Sequence, residues 1–410
     1  MKDLLIIGFV WPEPKSTAAG SRMLQLIELF QNNNYKITFV CTASKTKNSF
    51  NLEELNIQTF EIQLNNSSFD LFIQELNPSM VLFDRFLTEE QFGWRIAENC
   101  PNALRILDTE DLHFLRKARR TAFKNNVEVS LDLLMNDVAK RELASIYRSD
   151  LTLIISKYEI KLLKNTFKVN KYLLQYIPFL LNAINLEKLH SYPTFQERNH
   201  FMTIGNFKHE PNWNALLYLK AEIWPLIKQK LPEAKMLVYG AYATEKVNQL
   251  NDKKDGFLIK GWAENTENIF TNAKVCLAPL QFGAGLKGKL IDAMQYGTPS
   301  ITTSIGSEAM HKKLPWNGFI ADDPKEFASK AVELYTTEKV WINAQQNGIE
   351  IINNCFSKVK HEKKLLYKIE LLKKNSSNLR LHNFTGSLLM HHSLKSTKYM
   401  AKWIEEKNKK

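Results

Sequence analysis

The sequence predicts an α/β protein of two parallel-sheet domains facing a central cleft, followed by a C-terminal helical tail. Three observations predict it. Short apolar runs alternate with helix-length amphipathic stretches over about the first 350 residues, which is how parallel strands joined by crossover helices read. The alternation stops at a polar segment, LEKLHSYPTFQERNH (186–200), and then restarts. The 410 residues also exceed what one hydrophobic core usually serves. The expected division is an N-terminal domain over 1–183, a C-terminal domain over 184–350, and a tail over 351–410 that packs back on the N-terminal domain.

In order along the chain, LLIIGF is a continuous apolar run, as for a strand buried on both faces. In STAAGSRMLQLIELFQNN, Met23, Leu26, Ile27 and Phe30 recur at helical spacing. KITFV, SMVLFD (79–84), LRILD (104–108) and LTLIIS (151–156) are the next strands, with a helix near 89–99. Ser156 and Glu159 have the spacing of a capping box. YLLQYIPFLLN (172–182) closes the first half. The second half repeats the theme. FMTIG and KMLVYG are strands ending in glycine, with the amphipathic NWNALLYLKAEIWPLIKQ between them. GFLIKGW, KVCLAPL, SITTS and GFIA follow. Both halves therefore read as Rossmann-like. Ligands in such sheets sit beyond the carboxyl ends of the strands.

The net charge of +12 is unevenly placed: residues 351–410 hold fourteen Lys or Arg against four Asp or Glu. The body is nearly neutral, which argues against nucleic acid as its partner. The tail, helical to about Leu372, is expected to break at NSSN (375–378) and ends with Tyr399 and Trp403 among basic residues. Such a segment also suits peripheral contact with an anionic membrane face. Four scattered cysteines without a CxxC fit a reduced compartment. The short apolar start followed by Pro-Glu-Pro-Lys reads as a strand rather than a signal peptide, which places the protein in the cytoplasm.

The most informative stretch is PLQFGAGLKGKLIDAMQYGTPSITT (279–303). A strand ends, QFGAG turns the chain, and LKGKLIDAMQY starts a helix that Gly297 stops. A helix N-terminus offers free N–H groups to an anion, and Gly283 and Gly285 allow close approach. Lys287 and Lys289 work against the positive helix end unless an anionic partner is present. A diphosphate fits, and the Asp292 carboxylate suits a ribose diol. Lysines solvated at an ordinary helix start are the alternative reading. No GxxxxGKS/T is present.

This stretch, extended to PLQFGAGLKGKLIDAMQYGTPSITTSIGSEAM, resembles the donor-site signature of GT-B glycosyltransferases of the family 4 type (glycosyl transferases group 1). TIGNFKHEPNWNALLYL (203–219) is similar to the opening of that family's C-terminal domain. The resemblance implies a nucleotide-diphosphate sugar as co-substrate, no further cofactor and no metal, a glycan or lipid-linked acceptor, and retention at the anomeric carbon. It implies donor contacts from Gly205, Lys208, Gly283, Gly285, Leu286, Lys287, Lys289, Asp292 and Glu308; for Glu308, capping of local backbone N–H groups is the alternative. Asp292 matches the second Glu of the family's E-x7-E motif. Ala284 stands where the first belongs and has no carboxylate to offer a sugar hydroxyl.

DTEDLH (108–113) follows a strand and so faces the cleft. Asp108, Asp111 and His113 are candidates for orienting the acceptor hydroxyl or the anomeric centre; capping and local pairing with Arg116 is the alternative. In the loop WPEPKSTAAGSR (11–22), Gly20 and Arg22 are candidates for reaching donor or acceptor, or the loop is a connector capped by Ser16 or Thr17. Two rival functions keep the fold: a nucleotide-sugar epimerase, and a non-catalytic nucleotide or nucleic-acid binding protein.

Overall fold

A computed structural model describes residues 2–408, apart from the side chains of residues 393 and 394. The N-terminal sheet contains β1 (Lys2–Gly8), β2 (Tyr35–Cys41), β3 (Gln58–Glu61), β4 (Met80–Asp84), β5 (Leu104–Asp108), β6 (Leu151–Ile154) and β7 (Leu174–Tyr176). Their order is β3-β2-β1-β4-β5-β6-β7, and every pair is parallel. The second sheet holds β8 (Asn199–Ile204), β9 (Met236–Tyr239), β10 (Phe257–Gly261), β11 (Ala273–Ala278), β12 (Ser300–Thr302) and β13 (Gly318–Ile320). Its order is β10-β9-β8-β11-β12-β13, again wholly parallel.

Each sheet is covered on both faces, which is why its strands read as unbroken apolar runs. Leu4 and Ile6 of β1 join Leu26, Ile27 and Phe30 of the helix Ala18–Gln31. Leu5 and Ile7 join Phe83 and Phe92 on the opposite face. In the second domain Phe201, Val238 and Leu277 meet Trp224 and Trp341, while Met202 and Cys276 lie on the other side with Phe270. Two such sheets, set with flanking helices around one cleft, make the GT-B fold.

The chain passes between the domains twice at one place. Leu181 and Phe356–Lys358 run side by side, joined by Leu181 N–H to Phe356 C=O (2.9 Å) and Lys358 N–H to Leu181 C=O (2.8 Å). Asn353 brackets the backbone N–H and C=O of Ile184 (2.8 and 3.0 Å). The helix Lys358–His382 then lies on the N-terminal domain, where Leu365, Ile369 and Leu372 complete the cluster around β1 and β2. Arg380 grips Asp150 (2.8 and 2.7 Å) and the carbonyl of Ala103. The last helix, Phe384–Asn408, sets Ala401 against Trp94 and pairs Glu405 with Arg95. Lys409 and Lys410 of the basic tail lie outside the described residues.

Three local expectations change. The helix Lys358–His382 runs through NSSN without a break, because Lys373 on Tyr35 and Arg380 on Asp150 hold it on either side; tertiary contact overrides weak propensity. The helix over NWNALLYLKAEIWPLIKQ widens at Leu219–Ile223, just ahead of Pro225, which lacks the N–H a regular turn needs. Ser156 does cap the next helix through Tyr158 N–H (3.2 Å). Glu159 completes no capping box: its carboxylate reaches Leu112 N–H (3.1 Å) and Gly285 N–H (2.9 Å).

Candidate active site between the two domains

The carboxyl ends of both sheets open on one cleft of about 1010 Å³. The loops after β1, β4 and β5 line it on one side, and those after β8, β9, β10 and β11 on the other. This is where parallel sheets place ligands, because strand ends and helix starts converge there.

The floor is the stretch between β11 and the helix Gly288–Gln295. Gly283 (φ +152°) and Gly285 (φ +64°) take backbone conformations that side chains disfavour. Lys287 ends the loop, and its ammonium folds back onto the carbonyls of Ala284 (3.2 Å) and Gly285 (2.7 Å). Lys289 and Asp292 sit one turn apart on the helix, both half-buried and both on the cleft wall. Neither side chain has a hydrogen bond or ion pair to another described residue. Burial pushes Lys287 and Lys289 each down to about 8, and lifts Asp292 to about 7. An unpaired cation and an unpaired acid facing a cleft are groups held for a partner that the protein does not itself supply.

Gly205 ends β8 beside them; a Cβ there would come within 2.9 Å of the Asn212 side chain and 3.2 Å of the Lys289 ammonium. A larger residue there would push both side chains from the strand end. Lys208 is exposed and stands 3.9 Å over the Tyr242 ring. Leu286 lines the cleft and packs in the apolar cluster between the domains with Leu290, Ile291 and Ile155.

On the opposite wall Asp111 pairs with Arg116 and lies 3.6 Å from the His113 ring. Burial alone would raise Asp111, but Arg116 and His113 hold its carboxyl far below the usual range. Burial pushes His113 down to about 4, so its ring is neutral at pH 7. Asp111 and His113 therefore face the cleft as a charged acceptor and a neutral imidazole.

Four of the expected residues are engaged within the protein itself. Asp108 is fully buried at the end of β5 and paired with Arg22, which also reaches Glu110 (3.4 Å) and the carbonyl of Ile177 (3.1 Å). Neither lines the cleft: the guanidinium is buried within the N-terminal domain, where these acceptors take its donors. Gly20 does reach the cleft wall, but the backbone of Glu13 packs on it (2.5 Å from a Cβ), so its smallness serves the loop. Thr17 caps the following helix through Gly20 N–H (3.0 Å). Glu308 is engaged by Arg119 in a two-pronged pair (2.9 and 2.7 Å).

Other cleft residues carried no sequence signal. Arg85 (φ +70°) and Glu110 (φ +61°) have left-handed backbones without being glycine, the kind of strain that collects at functional sites. Burial, offset in part by Arg22, lifts Glu110 to about 8. Trp262 and Tyr242 bring aromatic rings to the C-terminal wall.

Comparison with known proteins agrees with this architecture. Residues 198–337 match the family model described as Glycosyl transferases group 1. No curated protein matches the chain. Among solved structures it is similar to sucrose-phosphate synthase from Thermosynechococcus elongatus, with TM-score 0.67 and 14% identity over 91% of this chain and 99% of that one. It is similar to S. aureus TarM in complex with fondaparinux, alpha-GlcNAc-glycerol and UDP, with TM-score 0.69 and 11% identity over 90% and 99%. It is similar to Anabaena HepE in complex with UDP and glucose, with TM-score 0.63 and 12% identity over 90% and 99%. The helix carrying Lys289 and Asp292 falls inside the matched region, and the chain has the GT-B fold, with residues 198–337 matching the model of the glycosyl transferases group 1.

Proposed function

We propose that the chain is a glycosyltransferase that moves a sugar from a nucleotide-diphosphate sugar to a hydroxyl of a glycan or lipid-linked acceptor, with retention, in the making of cell-surface glycan. The observation that carries this is the unpartnered pair Lys289 and Asp292 at a helix start, between glycines, on the floor of an interdomain cleft. The diphosphate lies against Lys289, Lys287 and the helix N-terminus, and the ribose diol against Asp292. As the glycosidic bond breaks, negative charge grows on the leaving phosphate, where these fixed positive groups stabilise it. Asp111 and His113 face it from the acceptor side and orient the incoming hydroxyl. The structures solved with UDP support a nucleotide donor here. We extend the proposal to peripheral contact between an anionic membrane face and the last helix, whose Tyr399 and Trp403 are exposed.

The test is release of nucleotide diphosphate from UDP-, GDP-, ADP- and dTDP-sugars by the wild type and by Lys289→Ala. Release from one donor class, reduced about 10²-fold in the variant as for loss of one preorganised charge contact, is the expected result. Equal turnover by the variant removes Lys289 from the donor site. Isomerised donor without transfer makes the protein an epimerase.

A further inference from the structure

We propose that Glu159 and Arg119 of the N-terminal domain are positioning residues that set the shape of the donor loop in the C-terminal domain, so that the donor site is completed only when the two domains are together. This rests on the donor-site reading above.

The loop Phe282–Lys287 has two glycines in left-handed conformations, and the Lys287 ammonium ties the carbonyls of Ala284 and Gly285 from within. Its other fixed points come from the other domain. Glu159 Oε1 accepts the Gly285 N–H (2.9 Å), and Arg119 donates to the Gly283 carbonyl (2.8 Å). The same guanidinium closes on Glu308 in the loop after β12. Phe282 meets the ring of Phe123 at 5.3 Å. Ala284 packs against the N-terminal apolar cluster that holds Leu107, Leu112 and Phe114. A Cβ at Gly285 would fall 2.8 Å from Asp111 Cβ, so even the glycine is chosen against the facing domain.

This arrangement accounts for alanine at position 284. Ala284 lines the cleft and packs against this cluster, next to the Gly285 N–H that Glu159 holds, so a glutamate there would set a second carboxylate beside Glu159. The loop gives up its own carboxylate and is held by Glu159 instead. Glu159 is fully buried, and its second oxygen has no hydrogen-bond partner among the described residues. Burial and Asp111 lift its carboxyl to about 8, against Lys287 and the two N–H donors. At pH 7 it is mostly neutral, and glutamine is its close substitute.

Small-angle scattering and calorimetry with UDP, GDP, ADP and dTDP on the full chain test this. Glu159→Ala/Arg119→Ala leaves Lys289 and Asp292 in place. It is expected to raise the radius of gyration and to weaken the best nucleotide by about tenfold or more, the scale of losing buried hydrogen bonds to charged groups. Glu159→Gln keeps an oxygen for both N–H groups and is expected to stay within about twofold of wild type, a rescue that requires an acceptor at this atom. Glu159 also holds the Leu112 N–H, so Glu308→Gln is the control for misfolding: it breaks the bridge from the C-terminal side and is expected to shift both readouts the same way. Unchanged compactness and affinity in Glu308→Gln and in the folded double variant overturn the proposal. If the wild type binds none of the four nucleotides, the donor-site reading fails, while the scattering difference still decides whether these residues hold the domains together.

Discussion

Lys289 concentrates the chemistry at the scale of single residues. Its ammonium is half-buried, unpaired, and held down to about 8 by burial. Lys287 is held equally low, but two loop carbonyls already engage it. A bound diphosphate favours both charged forms, so binding is linked to their protonation. The sign follows from the free-state values. Below pH 8 both lysines are mainly charged and affinity is flat from this source. Above pH 8 each must take up a proton on binding, and affinity falls by up to about tenfold per pH unit for each lysine. Calorimetry between pH 7 and 9.5, in buffers of different ionisation enthalpy, is expected to show this fall with proton uptake, and Lys289→Met to reduce its slope. Folding responds in the opposite sense. A lysine whose folded value lies below its unfolded one favours the folded state more as pH rises from about 8 toward 10.5. Lys289→Met is therefore expected to raise Tm at pH 7 while weakening nucleotide binding.

Among elements, the donor loop shows what a sequence carries and what it does not. Strand, glycine turn, helix and stop were all legible in residues 274–297, because periodicity and glycine placement are local signals. The partners of the loop were not. Glu159 sits three residues after Ser156 and has the spacing of a capping box, yet its hydrogen bonds go to Leu112 and, 126 positions away, to Gly285. Arg119 and Glu308 are likewise joined across 189 positions. No local pattern encodes such pairs, nor the left-handed backbones of Arg85 and Glu110. The buried Asp108–Arg22 pair looked like chemistry because both residues stand at strand-end loops; only packing shows that they satisfy each other. Two glycines separate backbone strain from cross-domain contact. Gly261 (φ +75°) has nothing within 4 Å of a Cβ, whereas Gly285 (φ +64°) meets Asp111. Gly261→Ala is expected to cost only the strain, about 1–2 kcal/mol, with nucleotide affinity retained. Gly285→Ala is expected to cost similar strain and also to weaken nucleotide binding, read by thermal melts with and without ligand. Equal affinity in the two variants would show that the loop tolerates displacement from the facing domain.

Across the whole molecule, the N-terminal domain is finished by residues that come after the C-terminal one. Leu365, Ile369 and Leu372 are buried in the same cluster as Leu4, Ile6 and Phe39. Burying each contributes about 1.5–3 kcal/mol, so the three together rival the 5–15 kcal/mol by which whole domains are stable. The helix Phe384–Asn408 adds less: Ala401 over Trp94 and the Glu405–Arg95 pair are its main buried contacts. Arg95 keeps Asp70 (2.5 Å) when Glu405 is gone, so no buried charge is left alone. Two truncations should therefore differ in kind. A chain ending at residue 383 is expected to keep both domains folded, with a lower Tm for the N-terminal one. A chain ending at residue 357 is expected to lose cooperative folding of residues 2–183, while β8–β13 and the helix Glu338–Cys355 still melt as a unit. Calorimetry and limited proteolysis distinguish the two, since only the second truncation should leave a protected fragment beginning near residue 184. Two intact transitions in the chain ending at 357 would mean that the N-terminal core closes without the returning helix, and that its three leucine and isoleucine side chains cover a surface already stable on its own.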